Sequence, residues 1–333
     1  MVGGNAGEPR PVPVICGPTG AGKSRLAMAL AERVAVASPE APALTIISAD
    51  SRQLYRGFDI GTAKPTVAEQ RLVPHVGVDV ADPTERWSAW QWADLARAAI
   101  QEARRLGREP VVVGGTGFYL RALAAPLATV PPLDAARREA LGAWLDALPR
   151  ETLREWCARL DPPRAALGPV QWHRAVEVAL LTGHPLSTWY RTPVSRDGEA
   201  AEGEAAPVTP VPVRYLVVDP GPSLSQRIAD RVHEMVAGGW LAEVERLMAE
   251  VPASAAAWQA TGYGALREHL EGRCSRDAAI ARVIVETRQY AKRQRTWFRH
   301  QLREGPVTRI SPVDPAAVDR ALAWWRASPE DLT

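Results

Sequence analysis

Short apolar runs, each bounded by turn-forming residues, recur along the chain. They are Val12–Cys16, Leu44–Ile47, Val76–Val80, Val111–Val113 and Tyr215–Val218. Helical periodicity separates several of them, most clearly at Arg25–Val36 and Ala89–Leu106. Alternation of buried strands with helices is typical of a parallel sheet joined by crossover helices. The pattern therefore predicts an α/β core.

The fifth apolar run comes only after a long interruption. Residues 124–209 have helical periodicity and are rich in Arg, Ala, Leu and Trp. We therefore expect an inserted helical domain between a first part of the core at 12–123 and its completion at 210–333. Residues 1–11, which are rich in Gly and Pro, are expected to be flexible. Ser195–Pro212 is expected to be a loop or a disordered segment.

Three helices are expected after the fifth run. Ser223 and Gln226 have the spacing of a capping box for a helix that ends at Ala237. A long helix should start after Asp277 and end near His300, and a last helix is expected at Ala316–Ala327.

Composition places the chain among ordinary globular proteins. Of its 333 residues 46% are hydrophobic and 23% are charged, and the net charge is +2. No signal-peptide pattern and no apolar run of membrane-spanning length occurs, so we expect no membrane contact. Cys16, Cys157 and Cys274 lie far apart and match no metal-binding spacing. Three free thiols favour a reducing compartment, and the expected location is the cytoplasm.

One segment carries a specific chemical signal. Residues 17–24 have the spacing G-x-x-x-x-G-K-S and lie between an expected strand and an expected helix. Glycines let backbone N–H groups turn towards an anion, and a helix N-terminus adds partial positive charge. Lys23 supplies a full charge to the phosphates, and the Ser24 hydroxyl suits a Mg²⁺ ligand. The predicted loop for a diphosphate or triphosphate comprises Gly17, Pro18, Thr19, Gly20, Ala21, Gly22, Lys23 and Ser24.

Two further groups should reach the same edge of the sheet, because ligands of open α/β sheets bind at the carboxyl ends of the strands. Asp50 follows the second run, where its carboxylate can ligate Mg²⁺ or act as a general base. The alternative is that Asp50 only caps the next turn. Gly114–Gly117 follows the fourth run and brings backbone amides and the Thr116 hydroxyl to that edge. Taken alone, this cluster fits a tight turn equally well.

Basic residues recur at helical spacing near the C-terminus. Arg288, Lys292, Arg295 and Arg299 form one stripe, and Arg293 lies beside it. A basic helix is often only a solvated face. Here the charge is concentrated in a chain that is nearly neutral overall, which favours a nucleic-acid contact.

Taken together, these segments resemble the tRNA dimethylallyltransferase (isopentenyltransferase) family. The resemblance is carried, in collinear order, by GPTGAGKS at 17–24, SADSRQLYRGFDIGTAKP at 48–65, VVVGGTGFYLRAL at 111–123 and TRQYAKRQRTWFR at 287–299. It implies a P-loop NTPase-like core with an inserted helical domain. It also implies transfer of a dimethylallyl group from its diphosphate to the N6 amine of the adenine 3′ of the anticodon.

The resemblance assigns roles to residues of the cleft. Asp50 would accept the proton of the amine, and Thr19 would donate a hydrogen bond to the diphosphate. Lys23, Arg231 and a Mg²⁺ ion near Ser24 would neutralise the leaving diphosphate.

The resemblance also implies that a monomer binds the anticodon stem-loop of tRNA and flips the target base out of its stack. The implied tRNA contacts are Asp50, Ser51, Arg52, Gln53, Thr116, Arg138, Arg174, Tyr263, Lys292, Arg293, Arg295 and Arg299. One departure lies at 168–173, where a polar pair usual in the family is replaced and only Arg174 keeps its place. Trp172 and His173 either stack on RNA or pack inside the inserted domain.

Two other functions fit a phosphate-binding loop. One is a small-molecule kinase that uses ATP, and the other is an RNA-binding protein regulated by a nucleotide. Asp219, after the fifth run, is the residue that most favours either, because it could serve as a second metal-binding carboxylate. The guanine-binding motif Asn-Lys-x-Asp does not occur, which argues against a GTPase.

Overall fold

The computed structural model describes residues 10–37, 44–125, 133–191, 210–302 and 305–327. Most of the segment expected to be flexible (1–11) and most of the expected loop at 195–212 lie outside these ranges. The chain forms two compact units, one made of residues 1–125 and 210–333 and the other of residues 126–209.

The first unit is built on a parallel sheet, which has six strands in the described part of the chain. They are β1 (Val12–Cys16), β2 (Leu44–Ala49), β3 (His75–Val76), β4 (Glu109–Gly114), β5 (Val213–Val218) and β6 (Val307–Ile310). The strand order is β3-β2-β4-β1-β5-β6, and every neighbouring pair is parallel. Val14 of the central β1 pairs with Val112 on one side and Tyr215 on the other. The predicted α/β class is confirmed.

Helices join the strands of the first half. They are α1 (Lys23–Ala37), α2 (Val67–Leu72), α3 (Ala89–Arg105) and α4 (Gly117–Ala124). A capping box formed by Ser88 and Gln91 starts α3. Trp92 on its apolar face is fully buried, donates a hydrogen bond of 2.8 Å to the Ser48 carbonyl and stacks on Tyr119. This contact fixes α3 against the end of β2.

The second unit is helical in its described part. It contains α5 (Ala135–Asp146), α6 (Arg150–Leu160), α7 (Pro169–Thr182) and α8 (Leu186–Arg191). Its small core includes Leu145, Leu153, Cys157 and Val176. Gly183 ends α7 in the left-handed conformation, with φ of 75°, as is common at a helix C-terminus.

After β5 the chain of the first unit becomes mainly helical. These helices are α9 (Leu224–Ala237), α10 (Trp240–Glu250), α11 (Tyr263–Leu270), α12 (Arg276–His300) and α13 (Ala317–Arg326). The predicted helices after the fifth run are therefore present with closely similar bounds. The predicted capping box is not formed, because the Ser223 hydroxyl donates to the Pro220 carbonyl and makes no cap bond to α9.

Two strand predictions differ from the structure. Only His75–Val76 pairs as a strand, whereas Val76–Val80 was expected. Gly77 and Asp79 have φ of 81° and 56°, so the chain turns there and cannot extend the ladder. The strand β6 had no counterpart in the apolar pattern, because only Ile310 of its four residues is buried. In the described ranges no helix is long and apolar enough to span a membrane.

Candidate active site

The loop between β1 and α1 needs its glycines. Gly17 has φ of 149°, and a Cβ there would lie 2.2 Å from the Val218 carbonyl oxygen of β5. Gly20 and Gly22 have φ of 76° and 91°, which non-glycine residues rarely adopt. The loop thus curls above the end of the sheet, with its backbone close to the neighbouring strand.

Lys23 and Arg231 place two cationic groups beside this loop. Lys23 Nζ donates a hydrogen bond of 2.9 Å to the Pro18 carbonyl, within the loop itself. Burial lowers the pKa of Lys23 to about 8, against the attraction of Asp50 and with help from the nearby charge of Arg231. Burial also lowers the pKa of Arg231, on α9, although Asp50 and Glu234 attract its charge. Two desolvated cations at close range form a site that favours an anion.

Asp50 lies at the end of β2 and faces these cations. Its Oδ1 accepts a hydrogen bond of 2.9 Å from the Arg52 backbone N–H, which closes a local turn. The same side chain lines the cleft with Lys23 and Arg231. Asp50 therefore caps the turn and also lines the cleft, so capping does not exclude the chemical role that was predicted for it.

A cleft of about 460 Å³ opens between the loop, the end of the sheet and α9. Its lining includes Thr19, Gly20, Gly22, Lys23, Ser24, Asp50, Gln53, Arg227, Arg231 and Gln294. The structure therefore brings together the four residues to which catalytic roles were assigned, from positions up to 212 residues apart in sequence. The glycine loop, two cationic side chains and a carboxylate therefore meet in one place.

Comparison with known proteins identifies the family. A family model described as IPP transferase matches residues 53–301. The tRNA dimethylallyltransferase of Rhodospirillum centenum is 42% identical over 311 residues, which cover 92% of this chain and 93% of that protein. The tRNA dimethylallyltransferase of Acaryochloris marina is 39% identical over 292 residues, which cover 86% of this chain and 88% of that protein. The chain belongs to the tRNA dimethylallyltransferase family.

Solved structures agree with this membership. The full-length tRNA isopentenylpyrophosphate transferase of Bacillus halodurans is 30% identical, with a TM-score of 0.64, and the match covers 97% of this chain and 98% of that chain. A eukaryotic dimethylallyltransferase acting on tRNA is 24% identical, with a TM-score of 0.73. The match covers 95% of this chain and 78% of that chain, and it supports the fold. The chain is a transferase with a P-loop NTPase-like core, as predicted.

The segment after Asp50, which carries part of the family resemblance, forms one wall of the cleft. The Ser51 backbone N–H donates to the Thr116 hydroxyl at 3.1 Å, and so joins the two loops. Gln53 uses both ends of its carboxamide, since Oε1 accepts from the Ser48 hydroxyl and Nε2 donates to the Thr62 and Ala63 carbonyls. Gln53 therefore supports the turn that lines the cleft, in addition to any contact with RNA.

The basic helix expected near the C-terminus is α12, and its charges divide into two groups. Arg288, Lys292, Arg293 and Arg299 are exposed. Arg295 is only partly exposed and donates hydrogen bonds to the Asp219 carboxylate and the Gly221 carbonyl. Its guanidinium thus fastens α12 to the end of β5, and the contact of Arg295 with tRNA stays a prediction.

The same ion pair bears on the rival functions. Asp219 is bonded to Arg295 and also accepts from the Gly221 backbone N–H at 2.9 Å. It is not among the residues that line the cleft. The residue that most favoured a kinase or a nucleotide switch thus has a structural partner.

Tyr263 was expected to contact tRNA, and its burial contradicts this prediction. Its side chain is fully buried against Phe58 and Trp240. The phenol donates a hydrogen bond of 2.6 Å to Glu243, and burial raises its pKa. Tyr263 is a core residue and has no surface to offer to a base.

Arg138 and Arg174 lie in the helical unit on either side of Glu177, which is 4% exposed. Burial opposes ionisation of Glu177, but the two arginines outweigh it and lower the pKa of that carboxyl.

Of the two residues at the departure from the family pattern, Trp172 donates to the Ala165 carbonyl and packs on the small core. His173 Nε2 lies 3.3 Å from Asp146 Oδ1 of the same unit.

Two residues that support the cleft wall carried no separate signal in the sequence. Gln294 of α12 bonds to the Thr19 backbone, and Glu243 of α10 bonds to the backbone N–H groups of Asp59 and Ile60. Gln294 lies four residues from Tyr290 and three from Trp297, so helical spacing alone places all three on one face. That spacing was the available hint.

The oxygen atoms beside the loop fit a Mg²⁺ ion that is bound mainly by substrate phosphates and water. Ser24 is exposed at the start of α1 and lines the cleft. Among the described residues no group of three or more His, Cys, Asp or Glu side chains is arranged to hold a metal. Mg²⁺ usually binds through one or two protein oxygens, substrate phosphates and water, which such a site allows.

Proposed function

We propose that the protein transfers a dimethylallyl group from dimethylallyl diphosphate to the exocyclic N6 amine of the adenine 3′ of the anticodon in tRNA, and releases diphosphate. One observation carries this proposal: Asp50, Lys23, Arg231 and the glycine loop line a single cleft. Membership of the tRNA dimethylallyltransferase family supports the same reaction.

The loop at 17–24 would bind the diphosphate of the donor. The Thr19 hydroxyl and the backbone N–H groups of the loop, other than those of Thr19 and Ala21 that already have partners in the protein, would donate hydrogen bonds to the oxygens. Lys23 and Arg231 would balance the charge. When the allylic C–O bond breaks, its electron pair stays on the diphosphate. Groups that already surround this oxygen stabilise the charge as it develops, at no cost of reorganisation.

Asp50 would prepare the nucleophile. An adenine amine is weakly nucleophilic because its lone pair is delocalised into the ring. A carboxylate that accepts one N–H proton keeps the electron pair on nitrogen available for the new C–N bond. The target base must leave its stack to reach Asp50 at the end of β2, so the reaction requires base flipping.

A Mg²⁺ ion held by the Ser24 hydroxyl and by diphosphate oxygens would add positive charge beside the leaving group. Lys23 and Arg231 would act on the same oxygens directly, so this chain supplies two of the neutralising charges itself.

The exposed side chains Lys292, Arg293 and Arg299 of α12 would bind backbone phosphates of the anticodon stem-loop. Ser51, Arg52 and Thr116 lie beside Asp50 and would meet the flipped base and its neighbours. Arg138 and Arg174 of the helical unit would add further contacts.

Because the substrate would be tRNA, we place the activity in the cytoplasm, and we propose that a monomer performs it.

The test is incubation of the protein with tRNA and dimethylallyl diphosphate labelled in the allyl group, followed by digestion to nucleosides. The label should appear in adenosine modified at N6, and only from tRNAs with adenine 3′ of the anticodon. Thermal protection by dimethylallyl diphosphate but not by ATP should accompany it. Label that stays in the donor, together with protection by ATP alone, would support a kinase instead.

A further inference from the structure

The carboxamide of Gln294 joins the two glycine loops of the cleft. Gln294 lies within α12, and only 7% of the residue is exposed. Its Oε1 accepts a hydrogen bond of 2.8 Å from the Thr19 backbone N–H. Its Nε2 donates one of 2.7 Å to the Gly115 carbonyl. One planar group thus spans the loop after β1 and the loop after β4.

The space around this group is tightly filled. A Cβ on Gly115 would lie 2.5 Å from Gln294 Nε2 and 3.1 Å from the Gly17 carbonyl oxygen. Along the same face of α12, Trp297 covers Gly117, where a Cβ would lie 2.3 Å from the indole. The helix and both loops are therefore in close contact, and the carboxamide has little freedom to choose other partners.

The loop depends on such outside contacts for its geometry. A phosphate-binding loop works only if several N–H groups converge on one anion, and displacements near 1 Å weaken such sites strongly. Arg227 holds one part of the loop through a bond of 3.2 Å to the Gly20 carbonyl. Gln294 holds the part at Thr19, next to the hydroxyl that would face the diphosphate.

We infer that Gln294 is a positioning residue, which fixes the Thr19 backbone and thereby the diphosphate-binding geometry of residues 17–24. This inference rests on the proposed function and deepens it. The exposed side chains of α12 would bind tRNA, whereas this buried one acts on the opposite side of the helix, on the donor site. Its loss should weaken diphosphate binding and leave tRNA binding intact.

The test compares Gln294→Met with Gln101→Met. Methionine keeps the length of the side chain but neither hydrogen bond, and Gln101 carries the same change on an exposed position of α3. Affinity for inorganic diphosphate, measured by calorimetry, should fall about tenfold in Gln294→Met, because two buried polar groups lose their partner. The KM for dimethylallyl diphosphate should rise by a similar factor, while the KM for tRNA should change by less than about twofold. In Gln101→Met the diphosphate affinity and both KM values should stay at the wild-type level.

A merely structural role gives different results. If Gln294 only supports the fold, kcat falls with the amount of active enzyme and the KM for the donor stays constant, which overturns the inference. Unchanged diphosphate affinity in a folded Gln294→Met overturns it as well. So does an equal loss of diphosphate and tRNA affinity, since that outcome means that the whole helix has moved.

A second variant approaches the same bond from its other end. The Cβ of Gly115→Ala would push the carboxamide away, so the same split between donor and tRNA is expected even if Gln294→Met does not fold. Normal diphosphate binding in Gly115→Ala contradicts the inference. Wild-type protein that binds inorganic diphosphate but transfers no label to tRNA would refute the proposed function, while the diphosphate measurements would still decide the role of Gln294.

Discussion

The Asp50 carboxylate closes a local turn and faces the two cations of the cleft. Replacement by asparagine should keep the turn, since the amide oxygen can still accept from Arg52, but it removes the proton acceptor. We expect kcat to fall by about 10²- to 10⁴-fold, as for other general bases, with tRNA affinity within a few-fold. Single-turnover kinetics and filter binding measure the two quantities.

Asp94→Asn is the matched control, because it removes the same charge from an exposed position of α3. It should leave both quantities unchanged. Turnover near wild type in Asp50→Asn would rule out the base assignment.

Lys23 should make donor binding depend on pH. Its pKa is lowered to about 8, so the free protein carries this charge below that pH and loses it as the pH rises. Binding of the diphosphate requires the charged form. Affinity for dimethylallyl diphosphate should therefore fall as the pH rises through about 8, by up to tenfold per unit above it. Lys23→Arg should bind with a flatter profile, because arginine stays charged. Parallel profiles for the two proteins would contradict this explanation.

Residues that act through local spacing were predictable from the sequence, whereas residues that act across the fold were not. The spacing of Gly17, Gly22 and Lys23 carries its own chemistry, and Asp50 follows an apolar run that ends at the same edge of the sheet. Gln294 reaches Thr19 across 275 positions, and no local pattern encodes that hydrogen bond. Burial of Tyr263 and the pairing of Arg295 also depend on partners that are distant in sequence.

At the scale of elements, the turn at 59–64 depends on a buried carboxylate. Glu243 of α10 accepts hydrogen bonds from the backbone N–H groups of Asp59 and Ile60, at 3.1 and 2.7 Å, and from the Tyr263 phenol. Gly61 passes so close to Trp240 that a Cβ would lie 2.2 Å from the indole. Since Thr62, Ala63 and Lys64 line the cleft, α10 supports the wall of the active site.

Glu243→Gln should destabilise the protein through this turn. The amide oxygen could keep the bonds from Asp59 and Ile60, but without the negative charge, and the amide nitrogen would face the Tyr263 phenol and the Gly61 N–H, so charge-assisted hydrogen bonds disappear inside the fold. We expect the free energy of unfolding to fall by about 2 kcal/mol, measured by urea denaturation. Glu245→Gln, at an exposed position of the same helix, should change it by less than about 0.5 kcal/mol. Equal stability of the two variants would show that the turn does not depend on the carboxylate.

Element predictions succeeded where an element is long and periodic. The helices α1, α3 and α12 were expected from their apolar spacing, and each is present. The run Val76–Val80 failed because apolar residues alone do not reveal that Asp79 adopts a positive φ. β6 was missed because an edge strand with one buried residue has no apolar signature.

At the scale of the molecule, the return of the chain to the sheet creates the site. β5 follows the helical unit and pairs with β1, which brings the Val218 carbonyl against Gly17 and places α9 with Arg231 over the loop. The apolar pattern indicated both the interruption and the fifth strand. The strand order could not be derived from it, because pairing of β1 with both β4 and β5 is a property of the folded sheet.

The distribution of charge over the molecule leads to the last prediction. The net charge is only +2, so electrostatic attraction to tRNA must come from local clusters and not from the whole chain. Lys292→Ala combined with Arg293→Ala removes two exposed charges of α12. The slope of log K for tRNA against log salt should decrease in magnitude by about 0.7 to 0.9 for each RNA phosphate that the variant no longer neutralises. Filter binding at several salt concentrations measures it.

Two comparisons separate direct binding of RNA from a general effect of charge. Arg104→Ala combined with Arg105→Ala removes the same charge from exposed positions at the end of α3 and should leave the salt slope unchanged. Arg295→Ala should lower the free energy of unfolding, because Asp219 loses its partner, with little effect on the slope. If the slope instead changes in Arg295→Ala and not in the double variant at 292 and 293, the face of α12 that carries Arg295 binds RNA, and the division of α12 into two functional faces is wrong.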